Sequence, residues 1–149
     1  MSENNLEAKK KAMSLLMHKD RTEYELVEKL KQKGFSQEET EDALSYVKGF
    51  GYIDDVRYAE RYIEIYQSAK SRKRLEQDLS RRGIDSAVIG QALEKCSTGD
   101  QTALEKEIFK KTGMLEGISE AYSYEEKQKI MAYLFRKGFQ SEDIRRYFM

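Results

Sequence analysis

The side chains with chemical potential in this chain are clustered lysines and arginines, not catalytic groups. The densest cluster occupies residues 70–82, where six basic and two acidic residues give a local charge of +4. Basic side chains at the start of a helix oppose the helix dipole, so those of residues 70–74 do not serve helix stability. We therefore predict that this cluster binds phosphate groups or an acidic protein surface.

Two further groups of basic residues accompany this cluster. Arg57 and Arg61 lie one turn apart on the preceding predicted helix and would extend the same patch. The other group surrounds the last glycine turn, and for it a solvated face and a binding face fit the sequence equally well. The complete set of predicted partner- or nucleic-acid-binding residues is Arg57, Arg61, Lys70, Arg72, Lys73, Arg74, Arg81, Arg82, Arg136, Lys137, Arg145 and Arg146.

Residues typical of catalytic and metal sites are scarce. The chain has one histidine and one cysteine, far apart in sequence, which gives no signature of a zinc site or a Cys–His nucleophile. The paired carboxylates Asp54 and Asp55 are explained by a helix start, where Asp54 caps the helix and Asp55 complements its positive end. The sequence thus predicts a binding protein that is not an enzyme and has no metal or cofactor.

An internal repeat supplies the elements that must position these side chains. One pattern is written three times, around Gly34, Gly83 and Gly138, with apolar residues at −8, −4, +1, +6 and +10 from the glycine. Thr40 is the one polar residue among these positions. The members are Leu26, Leu30, Phe35, Thr40 and Leu44; Leu75, Leu79, Ile84, Ile89 and Leu93; Ile130, Leu134, Phe139, Ile144 and Phe148. A repeat of this length determines the architecture.

Each repeat is predicted to be a helix, a tight glycine turn and a second helix. The glycine falls where a helix C-terminus needs a left-handed residue, and the apolar residue after it packs back on the helix. Ser36, Asp85 or Ser86, and Ser141 are the predicted caps of the second helices. Capping boxes are also predicted from Thr22, Ser36 and Ser123, each followed three residues later by glutamate. Gly90, inside a predicted helix, suggests a close helix–helix approach.

Two helices cannot enclose a core, so each repeat needs the third helix that the intervening sequence supplies. We predict an all-α protein of nine helices, arranged as three tandem three-helix modules in an elongated, curved array. The predicted modules are residues 1–50, 51–97 and 98–149, with Ser97–Asp100 as a linker and an irregular stretch at 113–121. Asp100 is a candidate cap of the helix that follows the linker. The absence of proline and a charged content of 36% suit such a solvated helical protein.

Composition sets limits on compartment and partners. Lysines plus arginines and aspartates plus glutamates both number 27, so global charge does not favour a polyanion and only its local distribution can. No apolar run approaches the roughly 20 residues of a membrane span, and no signal-peptide core is present. The lone Cys96 excludes an intramolecular disulfide framework. A cytoplasmic monomer that does not bind membranes is expected.

The helix–turn–helix pattern also raises the possibility of a sequence-specific DNA reader. The helices that follow the first two glycine turns argue against it, because QEETEDALSYV is acidic and DSAVIGQAL is nearly neutral. Neither suits a probe of the major groove. Non-specific contact with single- or double-stranded DNA is the better prediction.

Several short motifs together resemble the RecX family. They are Arg21-Thr22 with Glu25-Leu26, Leu30 with Lys33-Gly34-Phe35, Gly51-Tyr52-Ile53-Asp54-Asp55 with Tyr58-Ala59, and Arg74 and Leu79 with Arg82-Gly83-Ile84. The match runs through residues 12–96 and, more loosely, to the C-terminus. Many members have Gly-Pro where this chain has Ser71-Arg72, a departure that bears on the local geometry of the basic turn.

The resemblance implies three tandem three-helix modules, in agreement with the repeat. It also implies binding in the helical groove of the RecA recombinase filament, with inhibition of its recombinase, ATPase and co-protease activities in recombination and DNA repair. Two alternatives remain open: a DNA-binding regulator that acts without RecA, and a helical-repeat adaptor for unrelated proteins. A binding experiment discriminates among the three possibilities, according to whether the protein requires the filament, naked DNA or neither.

Overall fold

The computed structural model describes residues 3–149, with side chains from Asn5 onward, and every regular segment in this range is an α-helix. The helices are α1 (Glu3–His18), α2 (Glu23–Gln32), α3 (Gln37–Gly49), α4 (Asp55–Tyr66), α5 (Arg72–Arg81), α6 (Ser86–Cys96), α7 (Gln101–Thr112), α8 (Ile118–Ala121), α9 (Tyr124–Arg136) and α10 (Ser141–Phe148). Because residues 3–149 contain no β-strand, the all-α prediction is confirmed.

The helix starts follow the predicted capping chemistry. All three predicted capping boxes are present, and each has two reciprocal hydrogen bonds. The hydroxyl of the cap residue accepts from the backbone N–H of the third helical residue. The carboxylate of that glutamate accepts from the backbone N–H of the cap residue. The pairs are Thr22 with Glu25, Ser36 with Glu39, and Ser123 with Glu126. Each cap is worth about 1 kcal/mol, and together they fix where α2, α3 and α9 begin.

The three glycine turns share one hydrogen-bond pattern. The amide after the glycine donates to the carbonyl five residues earlier, from Phe35 to Leu30, Ile84 to Leu79 and Phe139 to Leu134, each at 3.3 Å. The glycines have φ angles of +92°, +82° and +101°. This is the Schellman arrangement, which satisfies carbonyls at a helix end and places the following apolar residue on that helix. The predicted left-handed glycine caps are therefore confirmed.

Burial follows the repeat, and two compact units result. The first unit holds the chain up to Arg61 together with Leu79–Ala92, and the second holds Tyr62–Asp78 together with Leu93–Met149. One cluster of buried side chains lies in the first unit (Ala8, Ala12, Leu26, Leu30, Ala43, Val47 and Ile53). Another lies in the second unit (Ala103, Leu104, Ile108, Ile118, Leu134, Phe139, Ile144 and Phe148). The module boundaries at residues 50 and 97 stay predictions.

Three local predictions were wrong. The stretch 113–121 contains the short helix α8, so residues 3–149 form ten helices and not nine. Ser141 is the first residue of α10, whose cap residue Gln140 makes no side-chain capping bond. Beyond its own stretch of helix, a Cβ on Gly90 would meet no atom within 4 Å, so no close helix approach explains this glycine.

Among residues 3–149, no helix combines the length and the apolar character that crossing a membrane requires.

Candidate nucleic-acid interface

The candidate site is built around Ser71, the residue before α5. Its hydroxyl accepts a hydrogen bond from the N–H of Arg74 at 3.1 Å and donates one to the carbonyl of Lys137 at 3.0 Å. Ser71 is therefore a helix cap and also a tie to the third glycine turn, 66 residues away. The tie brings the basic start of α5 against the basic end of α9.

The same arrangement occurs in the first unit, where Thr22 occupies the corresponding position of the repeat. Its hydroxyl accepts from the N–H of Glu25 at 3.2 Å and donates to the carbonyl of Arg82 at 2.6 Å. In both cases the acceptor is the carbonyl just before the glycine of the next repeat. We call these two contacts the Thr22 joint and the Ser71 joint.

A carboxylate completes each joint. Asp55 accepts a hydrogen bond from the N–H of Glu23 at 2.9 Å, and Asp100 accepts one from the N–H of Arg72 at 2.7 Å. Burial raises the pKa of both carboxyls, and the backbone hydrogen bonds partly oppose that rise. The N-termini of α2 and α5 are thus each capped by an acid at the start of a later helix. Asp100 was predicted to cap α7, but its side chain makes no capping bond to that helix. Asp54 caps α4 as predicted, since its side chain accepts a hydrogen bond from the N–H of Arg57.

The joints explain why two of the repeat glycines have no room for a side chain. A Cβ on Gly83 would overlap the Cβ and ring of Tyr24, and one on Gly138 would lie 2.5 Å from the Ser71 hydroxyl and 3.3 Å from Lys73 Cβ. Gly34 has nothing within 4 Å of the same position. The repeat pattern is common to all three glycines, but close approach is confined to the two at joints.

Cations gather on the surface of the Ser71 joint. We call Arg72, Lys73, Arg74 and Lys137 the Ser71 patch, and all four side chains are exposed. Lys137 lines one cleft with Ser71 and Arg74, while Arg72 and Lys73 line a second cleft on the same joint. Among residues 5–149, no acidic side chain forms an ion pair with Arg72 or Lys73. These two cations are therefore available to an external anion, although Glu76, Asp100 and Asp143 border their cleft.

Two of the predicted residues, Lys70 and the patch residue Arg74, bind an internal carboxylate. Asp78, only 4% exposed, accepts hydrogen bonds from Lys70 at 2.7 Å, Arg74 at 2.9 Å and the Tyr62 hydroxyl at 2.7 Å. Burial alone would raise the pKa of Asp78, but the hydrogen bonds from Lys70, Tyr62 and Arg74 outweigh it and lower the pKa to about 2. The same contacts raise the pKa of Lys70 despite its partial burial. The network anchors the start of α5 to α4.

This network should make folding sensitive to acid. A depressed carboxyl pKa contributes stability above the unfolded value of 3.8, and that stability is lost as pH falls through about 2. The difference corresponds to about 2 kcal/mol. We expect Asp78→Asn to lose about that much at neutral pH and to show a flatter stability profile between about pH 4 and pH 2. Urea unfolding as a function of pH tests this, with Glu76→Gln, an exposed carboxylate of the same helix, as control. Parallel profiles for Asp78→Asn and the unmodified chain would contradict it.

The remaining predicted residues are distributed over both units. In the first unit, Arg57 donates to the Gly51 carbonyl at 3.1 Å, Arg61 pairs with Asp20 at 3.0 Å, and the Arg82 carbonyl accepts from Thr22. Arg81 is exposed on the same unit. In the second unit, Arg136 and Arg145 are exposed and Arg146 pairs with Asp143 at 3.4 Å. The structure thus groups Lys70–Arg74 with Lys137, while Arg57 and Arg61 lie with Asp20 in the other unit.

Sequence reasoning missed the acids that organise the site. Asp78 and Asp100 were counted as part of the local charge and as a possible cap of α7, respectively. A signal was available for the joints, because Thr22 and Ser71 both stand four residues before the first apolar residue of their repeats. A signal was also available for Asp78, which stands four residues after Arg74, the spacing at which opposite charges on a helix meet. No comparable signal existed for Asp100, because Asp55 and Asp100 stand at different distances from the glycines of their joints. Within the described range, no group of acidic, histidine and cysteine side chains is arranged to hold a metal ion.

Family models match nearly the whole chain. They are the first, second and third three-helix domains of RecX, over residues 8–46, 54–93 and 100–148. The fold is that of three three-helix domains. Among solved structures, the crystal structure of RecX from Lactobacillus salivarius has a TM-score of 0.81 at 23% identity, covering 99% of this chain and 96% of that one.

Several curated proteins named regulatory protein RecX are similar to this chain in sequence. Regulatory protein RecX of Caldanaerobacter subterraneus subsp. tengcongensis is 37% identical over 93% of this chain and 67% of its own length. Regulatory protein RecX of Legionella pneumophila is 32% identical over 92% of this chain and 89% of its length. That of Bacillus licheniformis is 32% identical, and the match covers only 51% of its length. The repeat, the matched domains and these relatives agree, and the chain belongs to the RecX family.

Proposed function

We propose that this chain is a cytoplasmic, non-enzymatic regulator that binds the RecA–DNA filament and inhibits the recombinase, ATPase and co-protease activities of RecA. The single observation that carries the proposal is the Ser71 patch, an exposed group of cations on a joint held by hydrogen bonds. The relatives are named regulatory proteins, which supports a regulatory role over a catalytic one.

The geometry of the patch suits phosphate contact. Ser71 and Asp100 hold the backbone at the start of α5, so Arg72 and Lys73 project from a fixed base. Fixing the backbone before binding lowers the entropic cost of binding a phosphate. Contacts of this kind position a protein on nucleic acid without reading its sequence. The patch therefore fits a polynucleotide recognised through its backbone, as in a filament that carries DNA.

We further propose that the three modules, with boundaries at residues 50 and 97, contact neighbouring filament subunits together. Linked modules gain affinity through effective concentration, by as much as ~10²–10⁴ when all can engage at once. Cutting the chain at Gly99 is a poor test, because it removes Asp100 and Lys137 and so the partners of Arg72 and Ser71 at the start of α5. The full chain must be used.

The decisive measurement is the response of RecA to this protein. We expect the full chain to inhibit DNA-dependent ATP hydrolysis and strand exchange by RecA in a concentration-dependent manner. If both activities are untouched at saturating protein, the proposal fails.

Co-sedimentation separates the proposal from its main alternative. The protein is mixed with RecA assembled on DNA, with unassembled RecA and with naked DNA at one salt concentration. Filament binding well above DNA binding supports the proposal. Equal binding to naked DNA would identify a DNA-binding regulator that acts independently of RecA.

A further inference from the structure

A second exposed surface lies in the first unit, on the outer face of α1. Its residues Leu6, Met13 and Met17 stand seven and four residues apart and so share one helical face, and the half-buried Met13 also packs against the core of the first unit. Leu6 is 48% exposed and Met17 is 83% exposed. With Tyr46 of α3 they line a groove of about 640 Å³. No segment of the described chain, residues 3–149, fills this groove.

The apolar surface continues beyond the groove along α3. The ring of Tyr46 meets that of Phe50 edge-on, with 5.1 Å between their centroids, and Phe50 stacks on Tyr52 with a centroid separation of 5.6 Å. All three aromatic residues are at least 41% exposed. Exposed apolar side chains grouped in this way are characteristic of a surface that binds another macromolecule.

The spacing and residue types indicate the occupant. From Leu6 to Met17 the groove runs three turns, about 17 Å, which matches a short helix laid along it. Methionine side chains adapt to the shape of a partner and are common where helices bind in grooves. Exposed aromatic rings supply the large contacts typical of the centre of protein interfaces.

Charge determines which helix would fit. The only charged residues that line the groove within the described chain are Lys9 and Lys10. Lys9 is nearly buried, pairs with Asp42 at 3.4 Å and lies over the Tyr46 ring. Lys10 is largely exposed, and its contact with Glu7 at 3.9 Å is a surface pair of little energetic value. Lys10 is thus positioned to pair with an acidic residue on a partner.

We propose that the groove between α1 and Tyr46 binds an amphipathic protein helix of about three turns whose apolar stripe is flanked by acidic residues. The leucine-type residues of that helix pack on Leu6, Met13 and Met17, and an acidic side chain faces Lys10. This surface shares no residue with the Ser71 patch, and the inference does not depend on binding to RecA or DNA.

The test uses the full chain and designed peptides of about 15 residues, roughly the length of the groove plus one turn. One labelled peptide carries leucines at helical spacing with flanking glutamates. A second replaces the glutamates with lysines, and a third replaces the leucines with serines. We expect saturable anisotropy binding of the glutamate peptide, at least about tenfold weaker binding of the lysine peptide, and none of the serine peptide.

Variants then locate the contact. Leu6→Glu and Met17→Glu should each weaken the glutamate peptide at least about tenfold, because each places a charge on the apolar surface that the peptide must cover. Gln32→Glu, which adds the same charge at an exposed position of α2, should have little effect. Leu6, Met17 and Gln32 are all exposed, and circular dichroism checks that the three variants remain folded.

Three results would overturn the proposal. One is the absence of saturable binding by the glutamate peptide, and another is equal binding of the lysine peptide. The third is peptide-induced NMR shifts that fall away from Leu6, Met13, Met17 and Tyr46. Self-association in sedimentation that Met17→Glu abolishes would assign the groove to a second copy of this chain and would likewise overturn it.

Discussion

Replacing glycine by alanine is expected to be far more damaging at the joints than elsewhere in the repeat. Gly83→Ala and Gly138→Ala combine two costs, the left-handed backbone and the overlap with Tyr24 or with Ser71 and Lys73. The first cost is about 1 kcal/mol and overpacking adds about 1–3 kcal/mol, so we expect the free energy of unfolding to fall by roughly 2–4 kcal/mol.

Two other glycines serve as matched controls. Gly34 has φ +92° but open space around it, so Gly34→Ala should cost only about 1 kcal/mol. Gly90 lies inside α6 with open space, and Gly90→Ala should stabilise the protein by up to about 1 kcal/mol. Urea unfolding measures all four variants. Equal destabilisation at Gly34 and Gly83 would show that backbone conformation alone accounts for the effect and that the joint tolerates a side chain.

Neutralising the Ser71 patch should give the largest change in binding. We expect the triple variant Arg72→Gln, Lys73→Gln and Lys137→Gln to bind single-stranded DNA or the RecA filament about 10- to 100-fold more weakly near physiological salt. For every phosphate that the variant no longer binds, the log–log salt slope should also fall in magnitude by about 0.7–0.9. The three side chains are exposed, so the fold should be little affected. Affinity measured over a range of salt concentrations gives both quantities.

The control variant carries the same change of charge at a different place. Lys29, Lys31 and Lys33 lie at the end of α2 in the first unit, and their replacement by glutamine also removes three positive charges. We expect it to reduce affinity much less than the patch variant does. An equal loss of affinity in the two variants would show that binding depends on net charge and that the Ser71 patch is an ordinary solvated surface.

The local features of this fold follow from the sequence alone. Capping boxes and Schellman turns join residues three to five positions apart, so the type and order of neighbouring residues are sufficient to predict them. The apolar repeat likewise predicted most of the core positions, because helical periodicity determines which residues share a face. Phe35, Leu44 and Ile130 are only partly buried but pack against the cores. Ser141 shows the limit of such reasoning, since the helix begins at that residue and Gln140 takes the cap position.

The tertiary structure alone decided how the basic residues are used. The hydroxyls of Thr22 and Ser71 donate to carbonyls 60 and 66 residues away, and their shared position in the repeat does not reveal which turn each hydroxyl contacts. In the sequence analysis Lys70 and Arg74 were assigned to the binding surface. In the folded chain Asp78 is buried and accepts hydrogen bonds from both side chains, so both cations are bound to an internal carboxylate. Charge can be counted along a chain, but whether a cation faces solvent or a buried acid depends on which helices pack together.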